Sequence, residues 1–426
     1  MKVFFLNDSS SNPNWGDRAA ALALRAMITE AGAEIGAGLT ESELSRQSFY
    51  GTPVEDTDRS EPSPVAVVAR KITRRLTSRL GPVRSKALDT GAVPRSWHDY
   101  PAALDAWRSH PEAWAPLRAD LEACDVVLVH GDGAIATPSR IVYSMLFVAY
   151  LAREELDKPV AWVNHTSDPS DDSLEGIVRG LYPMLDDLKY RETRSAERWR
   201  DLAPGRYVPD SAFRFEPAAR EDFVRFAGRP HFLGIWPYHA DFDPGRPYVC
   251  IGGSSLLYPL DTERQRSVAK VFEDLVRTVR DRVDAQVVLV ASDRRDEAIF
   301  APLASELHLP FLPVATPVQM AVDVLGNASA YVGGRWHAGI FALRGGTPIV
   351  PLTSKTFKMQ ALCDMTGALP YQAVDVFTLD DQLTHLRRDL FEVLDAGTAL
   401  RAHLRAWAAD QAERSTENIE LVGAGR

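Results

Sequence analysis

The sequence predicts an α/β protein of two Rossmann-like halves, each with a parallel sheet, facing one another across a cleft. Three observations predict it. Short runs dense in Val, Ile and Leu alternate with longer helical patterns, the order expected of parallel sheets covered on both faces. At 426 residues the chain is too long for one ordinary hydrophobic core. A break in composition between Phe215 and Arg246 separates one such series from a second.

In chain order, the predicted strands are Val3–Leu6, Val126–Val129, Val160–Val163, Tyr248–Ile251, Val287–Val290, Tyr331–Val332 and Ile349–Leu352. Helical periodicity marks Arg18–Ala31, Ile141–Glu155, Asp261–Val283 and Val374–Ala409. These elements divide into a first half at 1–215, a linker at 216–245 and a second half with C-terminal helices at 246–426. The linker carries an irregular aromatic stretch, Pro230 to Tyr238. A cleft between the halves, where strand C-termini and helix N-termini converge, is where a ligand is expected.

Residues 39–95 form an irregular insertion rich in Ser, Pro and charge. Within 64–86, Val65 to Lys86 carries seven basic residues and no acidic ones, and Val65, Val68, Ile72, Leu76 and Leu80 fall on one helical face. Such a helix either makes a peripheral contact with an anionic membrane surface or packs on its own domain with a solvated basic face, and the second is the commoner outcome.

Composition narrows the function classes. With 45% hydrophobic and 25% charged residues the chain is an ordinary globular protein, and its net charge of −10 argues against nucleic acid as a partner. Cys124, Cys250 and Cys363 lie scattered in apolar surroundings and read as reduced core residues. No clustered His, Cys or carboxylate set suggests a metal. Four apolar residues, Val3 to Leu6, are too few for a signal peptide, and no later run approaches a membrane span, so the expected location is cytoplasmic, including the inner membrane face if the basic helix binds there.

The segment best suited to chemistry runs from Ala330 to Leu343. A short strand enters Gly333 and Gly334, which would let a ligand approach the main chain, and then a helix opening near Arg335. Arg335 offers a bidentate fork for carboxylate or phosphate, and His337 can exchange a proton near neutral pH. A structural His and a surface Arg at a helix start would look the same. After the next strand, Lys355 and Lys358 lie beyond a strand's C-terminal end, where α/β sheets bind ligands.

The run from Val324 to Gly367 resembles the C-terminal signature of the polysaccharide pyruvyl transferase family: Arg335 and His337 after a strand, Gly346 and Pro348, and Lys358 nine residues before Gly367. That spacing selects Lys358 over Lys355. Asn14-Trp15-Gly16-Asp17, Tyr190 to Ser195 (with Glu192 for the usual Asp) and Val208 to Phe213 resemble three further family landmarks, in the family's order. Each also has a plain reading: Asp17 as a helix cap, Arg191 in a surface ion pair, Asp210 fixing a loop. One departure is His130-Gly131-Asp132-Gly133, where the family presents three glycines. Asp132 puts a side chain and a negative charge where the family has bare backbone.

The resemblance implies a GT-B-like fold and an enzyme that moves the enolpyruvyl group of phosphoenolpyruvate onto a sugar, forming a pyruvate ketal in a cell-surface polysaccharide or glycoconjugate. It implies no cofactor or metal, only phosphoenolpyruvate as co-substrate and a sugar or glycan acceptor, including a lipid-linked one. Arg191, Arg335 and Lys358, with Gly333 and Gly334, would bind the donor. His337 would be the general acid or base with Asp17 as its partner. Asn14, His130, Asp132 and His165 would face the acceptor. Two rival readings remain: a nucleotide-sugar glycosyltransferase on the same architecture, with phosphates near Gly252 to Ser255, and an inactive glycan-binding homologue.

Overall fold

The computed structural model describes residues 1–46, 93–202, 205–233, 240–257 and 262–423. The basic segment at 64–86 and the aromatic residues at 234–239 lie outside them.

The first half is a six-stranded parallel sheet in the order β2-β1-β3-β4-β5-β6, built from β1 (Lys2–Asp8), β2 (Glu34–Thr40), β3 (Val126–Ile135), β4 (Val160–Ser167), β5 (Asp187–Tyr190) and β6 (Arg206–Tyr207). Alternation along β1 and β3 feeds two cores. Phe4, Leu6, Val127 and Val129 join one face, while Val3, Phe5, Val126 and Leu128 join the other. The second half is a five-stranded parallel sheet, β11-β10-β7-β8-β9, made of β7 (Tyr248–Ser254), β8 (Gln286–Val290), β9 (Phe311–Leu312), β10 (Ala330–Gly334) and β11 (Ile349–Pro351). All seven predicted strands are present.

In each sheet the winding reverses once, between β1 and β3 in the first and between β7 and β10 in the second. Crevices at such reversals are where doubly wound sheets bind ligands. The segments after β1 and β10 carry Asp17 and His337.

Helix Trp15–Glu30 ties the halves together. Trp15 is fully buried in the second half's core, stacks on Phe341 with ring centroids 5.5 Å apart, and donates from Nε1 to the Ala291 carbonyl at 3.1 Å. Arg18 donates to the Thr316 carbonyl at 2.9 Å. The chain's end then crosses back to the first half. Phe213 packs edge-on against Trp407, Asn418 donates to the Pro209 carbonyl at 2.8 Å, and Val422 joins the core beside Val3 and Phe5.

Two expectations change. The zone expected to be irregular from residue 39 begins with the end of β2 and a helical turn, Glu41–Leu44, capped by Thr40. The strand Glu-Ile-Gly-Ala-Gly-Leu-Thr is poor in large apolar residues because it lies at the sheet edge; Gly38 is required where a Cβ would come within 2.3 Å of the Phe5 carbonyl oxygen. The helix expected over Val374–Ala409 is two, Leu379–Asp395 and Gly397–Arg414, broken where Gly397 takes φ +63°. The three cysteines are buried and unpaired, as expected. Among the described residues no helix is long and apolar enough to cross a membrane.

Candidate active site

In the C-terminal parts of three neighbouring strands of the first sheet stand polar residues with left-handed backbone: Asn7 in β1 (φ 67°), Asp132 in β3 (φ 45°) and Asn164 in β4 (φ 58°). Asn and Asp tolerate this region better than other side-chain-bearing residues. β3 thus runs on past the predicted end at Val129 through His130-Gly131-Asp132-Gly133, and presents the Asp132 carboxylate.

After β1, Asn14 caps helix Trp15–Glu30 by accepting from the Gly16 amide at 2.9 Å. Capping was the plain reading of Asp17 and a sugar contact the reading of Asn14, and the structure reverses the first: Asn14 caps, which leaves the Asp17 carboxylate in the first turn free to face His337. His337 sits at the start of helix Trp336–Arg344, 93% buried, with Nδ1 3.4 Å from Asp17 Oδ1. Its Nε2 has no hydrogen-bond partner and lies 3.5 Å from Asp210 Oδ2 and 4.0 Å from Asp132 Oδ1.

Asp210 joins the halves. It is fully buried and accepts from Trp336 Nε1 at 2.8 Å, from Arg191 Nη1 at 3.2 Å and from the Ala212 amide at 2.8 Å. Arg191 is buried too, not at the surface. It donates to Asp132 Oδ1 at 2.5 Å and to Thr166 Oγ1 at 3.0 Å, and its guanidinium lies 4.9 Å from the centre of the Trp336 ring. Lys358 opens helix Lys358–Thr366, and a Cβ built on Gly133 would stand 3.6 Å from its Nζ and 3.4 Å from Arg191 Nη2. Gly133 is therefore the floor between two cations.

The electrostatics follow from this crowding. Burial alone would pull the His337 imidazolium down, but the carboxylates of Asp17, Asp210 and Asp132 outweigh it and raise its pKa from 6.5 to about 9. Asp17 is pushed up by burial and by Asp132, against the pull of His337 and Lys358. Burial also opposes ionisation of Asp132 and Asp210, yet neighbouring Arg191 and His337 hold both well below the usual carboxylate range. Lys358 is lowered to about 8 by burial and by Arg191. A buried imidazolium poised between carboxylates, with two further cations alongside, can donate a proton and hold an anion.

Several expected site residues stand elsewhere. Arg335 directs Nε and Nη2 to the two oxygens of buried Asp296, at 3.0 and 2.8 Å, so the fork expected to grip an anion is engaged within the protein. Gly333 and Gly334 accommodate packing: Cβ atoms there would come within 2.2 Å of the Tyr331 hydroxyl and 2.7 Å of the Thr353 carbonyl. His130 and His165 are both fully buried. His130 lies between Ser9 Oγ (3.4 Å) and Asn164 Nδ2 (3.1 Å), beneath the cluster. His165 contacts the Lys189 carbonyl and the Tyr182 hydroxyl, and burial pulls its pKa to about 3. Both imidazoles are enclosed by protein and brace the strand ends. Gly252 to Ser254 form the buried end of β7, and Gly253 faces Asp296, whose Oδ1 is 2.0 Å from where a Cβ would be.

Asp210, whose sequence context suggests only a loop anchor, and Trp336 and Glu41, which no motif marks, also belong to the site. Glu41 lies in the insertion thought to be irregular, receives a hydrogen bond from Asn12 Nδ2, and has its pKa raised to about 7 by burial, Asp17 and Asp132. Glu192, in place of the family Asp, caps helix Thr193–Trp199 by accepting from the Ser195 amide at 2.8 Å. The sequence also showed no clustered metal ligands, whereas folding brings ligand atoms of Asp17, Asp132 and His337 within 4.8 Å of one another. Arg191 and Lys358 already place positive charge beside these carboxylates.

A profile of the family described as polysaccharide pyruvyl transferase matches residues 16–356. The chain belongs to the polysaccharide pyruvyl transferase family. The match holds Asp17, Asp132, Arg191, Asp210 and His337, while Asn14 lies two positions before it and Lys358 two beyond. No curated protein matches the chain. Among solved structures, spinosyn rhamnosyltransferase SpnG superposes with a TM-score of 0.50 at 13% identity, covering 100% of both chains. The N-terminal domain of Candida albicans trehalose-6-phosphate phosphatase gives 0.50 at 12% identity, covering 100% of this chain and 97% of its own. The UDP-GlcNAc 2-epimerase of Methanocaldococcus jannaschii, in complex with UDP-GlcNAc and UDP, gives 0.48 at 12% identity, covering 92% and 93%. This pyruvyl transferase family member has a GT-B-like fold.

Gly16 illustrates how closely the halves must approach in this family member. A Cβ there would lie 2.6 Å from His337 Cβ and 2.7 Å from its Nδ1. Gly16→Ala is expected to push the His337 ring away from Asp17, costing about 1–3 kcal/mol of stability as an overpacked contact. Thermal denaturation checks this, and an unchanged midpoint would show that the cleft opens freely at this point.

Proposed function

We propose that this protein transfers the enolpyruvyl group of phosphoenolpyruvate to a sugar, forming a pyruvate ketal during biosynthesis of a cell-surface polysaccharide or glycoconjugate. Family membership supports the class of reaction. The observation that carries the reading is the buried His337, raised to a pKa of about 9 between Asp17 and Asp210, with Arg191 and Lys358 beside it at Gly133.

In the proposed reaction a sugar hydroxyl oxygen attacks the phosphate-bearing carbon of phosphoenolpyruvate while the methylene carbon takes a proton and becomes methyl. A second hydroxyl oxygen then displaces phosphate from the same carbon. Each hydroxyl gives up its proton, and inorganic phosphate leaves. His337 supplies the proton to the methylene, and Asp17, whose pKa is raised, receives one from an attacking hydroxyl. Lys358 and Arg191 hold the donor's phosphate and carboxylate. The acceptor enters over Asn14 and Glu41, on the side of the insertion. No resident metal or cofactor takes part in this scheme.

Asp132 favours a second reading. Its carboxylate already lies on Arg191, in the place a donor carboxylate would take. An inactive glycan-binding homologue would have its anion site filled in this way. Asp132→Gly separates the two. It relaxes a side-chain-bearing residue from φ 45° and removes one of the two carboxylates on Arg191 Nη1, leaving Asp210 at 3.2 Å. On the transferase reading, phosphoenolpyruvate raises the melting temperature of the wild-type protein and nucleotide sugars do not, and the variant binds the donor about tenfold more tightly, the worth of one charge-assisted hydrogen bond. Phosphoenolpyruvate binding confined to the variant would establish the second reading. Stabilisation by a nucleotide sugar alone would support glycosyl transfer instead.

A further inference from the structure

On the edge of the second sheet opposite His337, a cleft of about 840 Å³ opens beneath the starts of β7 and β10, and Arg220, Arg344, Arg401 and Arg405 line it. Part of this charge has a local explanation. Helices Val318–Gly326 and Trp336–Arg344 end here, and guanidinium groups are favourable at helix C-termini. Arg401 donates to the Ala328 carbonyl at 2.8 Å and the Ser329 carbonyl at 3.4 Å, Arg405 to the Gly345 carbonyl at 2.9 Å, and Arg220 to the Asn327 carbonyl at 3.4 Å. These contacts engage only some of the five N–H groups that each guanidinium carries.

Arg344, in the last turn of its helix, makes no such carbonyl contact. It is 92% buried, its Nε has no hydrogen-bond partner, and its nearest carboxylate, on the exposed Glu216, stands 3.7 Å away. Burial lowers the pKa of Arg344 and of Arg401, and Arg405 and Arg220 lower Arg401 further by repulsion. Four arginines against two lining carboxylates, Glu216 and Glu221, leave this cleft positive in a chain of net charge −10.

We propose that this cleft binds a compact multivalent oxyanion, phosphate or a phosphoryl group, with Arg344 as its buried anchor and Arg220, Arg401 and Arg405 closing around it. Planar guanidinium forks are the side chains best matched to such oxygens. The site is separate from His337 and stands whether or not the proposed reaction does.

Calorimetric titration tests it, using inorganic phosphate, pyrophosphate and glucose 1-phosphate at fixed ionic strength. The proteins compared are the wild type, Arg405→Glu, Arg220→Ala/Arg405→Ala and Lys358→Ala. Arg405 is exposed, so its substitution leaves the core untouched, and melting curves confirm it. The expected result is a binding event weakened at least about tenfold in both cleft variants and retained in Lys358→Ala. Tightest binding of inorganic phosphate identifies the free anion, and tightest binding of glucose 1-phosphate identifies a phosphorylated ligand. The proposal is overturned if every binding event is lost in Lys358→Ala, or if both cleft variants bind within about twofold of wild type.

Discussion

Replacing His337 with Asn is expected to lower the turnover of pyruvyl transfer by about 10³-fold, within the range for removing a positioned proton donor. Asn fills much of the imidazole's place and keeps a polar group between Asp17 and Asp210, so the fold should survive. The pH dependence identifies the cause. With its pKa at about 9, His337 remains a charged acid through neutrality, and turnover falls as pH rises through about 9. Stability follows the same linkage. The folded pKa is raised above 6.5, so the charged imidazolium's contribution is full below about 6.5 and lost as pH rises through about 9. The melting temperatures of wild type and His337→Asn should therefore differ most in mild acid and converge above pH 9. A His337→Asn protein with full turnover would remove His337 from the chemistry.

The largest effect on stability is expected from Arg335→Leu. Asp296 is fully buried, and both its oxygens accept from Arg335. Without the guanidinium an unpaired carboxylate would be left inside, which costs about 3–5 kcal/mol. Asp296 would then take up a proton, so the variant should lose stability progressively as pH rises. Asp296→Leu strands the Arg instead and should be comparably damaging, while the double substitution should recover much of the loss. Thermal and denaturant unfolding of all four proteins provides the cycle. Additive losses would mean that the pair contributes nothing jointly, leaving Arg335 available to a donor. A coupled loss makes Arg335 a positioning residue that fixes the start of the His337 helix.

These two residues also show how far the site could be read in advance. The strands were legible because parallel sheets covered on both faces need runs such as Val126–Val129 and Val287–Val290. Edge strand β2, with two glycines, carried little of that signal. His337, Lys358, Arg191 and Asp17 were legible through motif spacing. What stayed hidden were their partners, because those come from contacts between residues distant in the chain. Nothing near Arg335 in sequence announces Asp296, 39 positions earlier, and nothing near Asp210 announces Trp336, 126 positions later. The same limit misplaced His130 and His165, whose sequence surroundings resemble those of exposed histidines at strand ends. For Asp17 the local sequence left capping open beside the catalytic reading; only the fold shows Asn14 taking the cap and Asp17 facing His337.

The central claim is that the His337 cluster joins phosphoenolpyruvate to a sugar. Product analysis tests it most directly: wild-type protein is incubated with phosphoenolpyruvate and a panel of mono- and oligosaccharide acceptors, with phosphate release and acceptor mass followed together. The predicted result is one phosphate released for each acceptor that gains the mass of pyruvate less water, with both signals lost in His337→Asn. Acceptor modification from a nucleotide sugar, with phosphoenolpyruvate left intact across the panel, would contradict it.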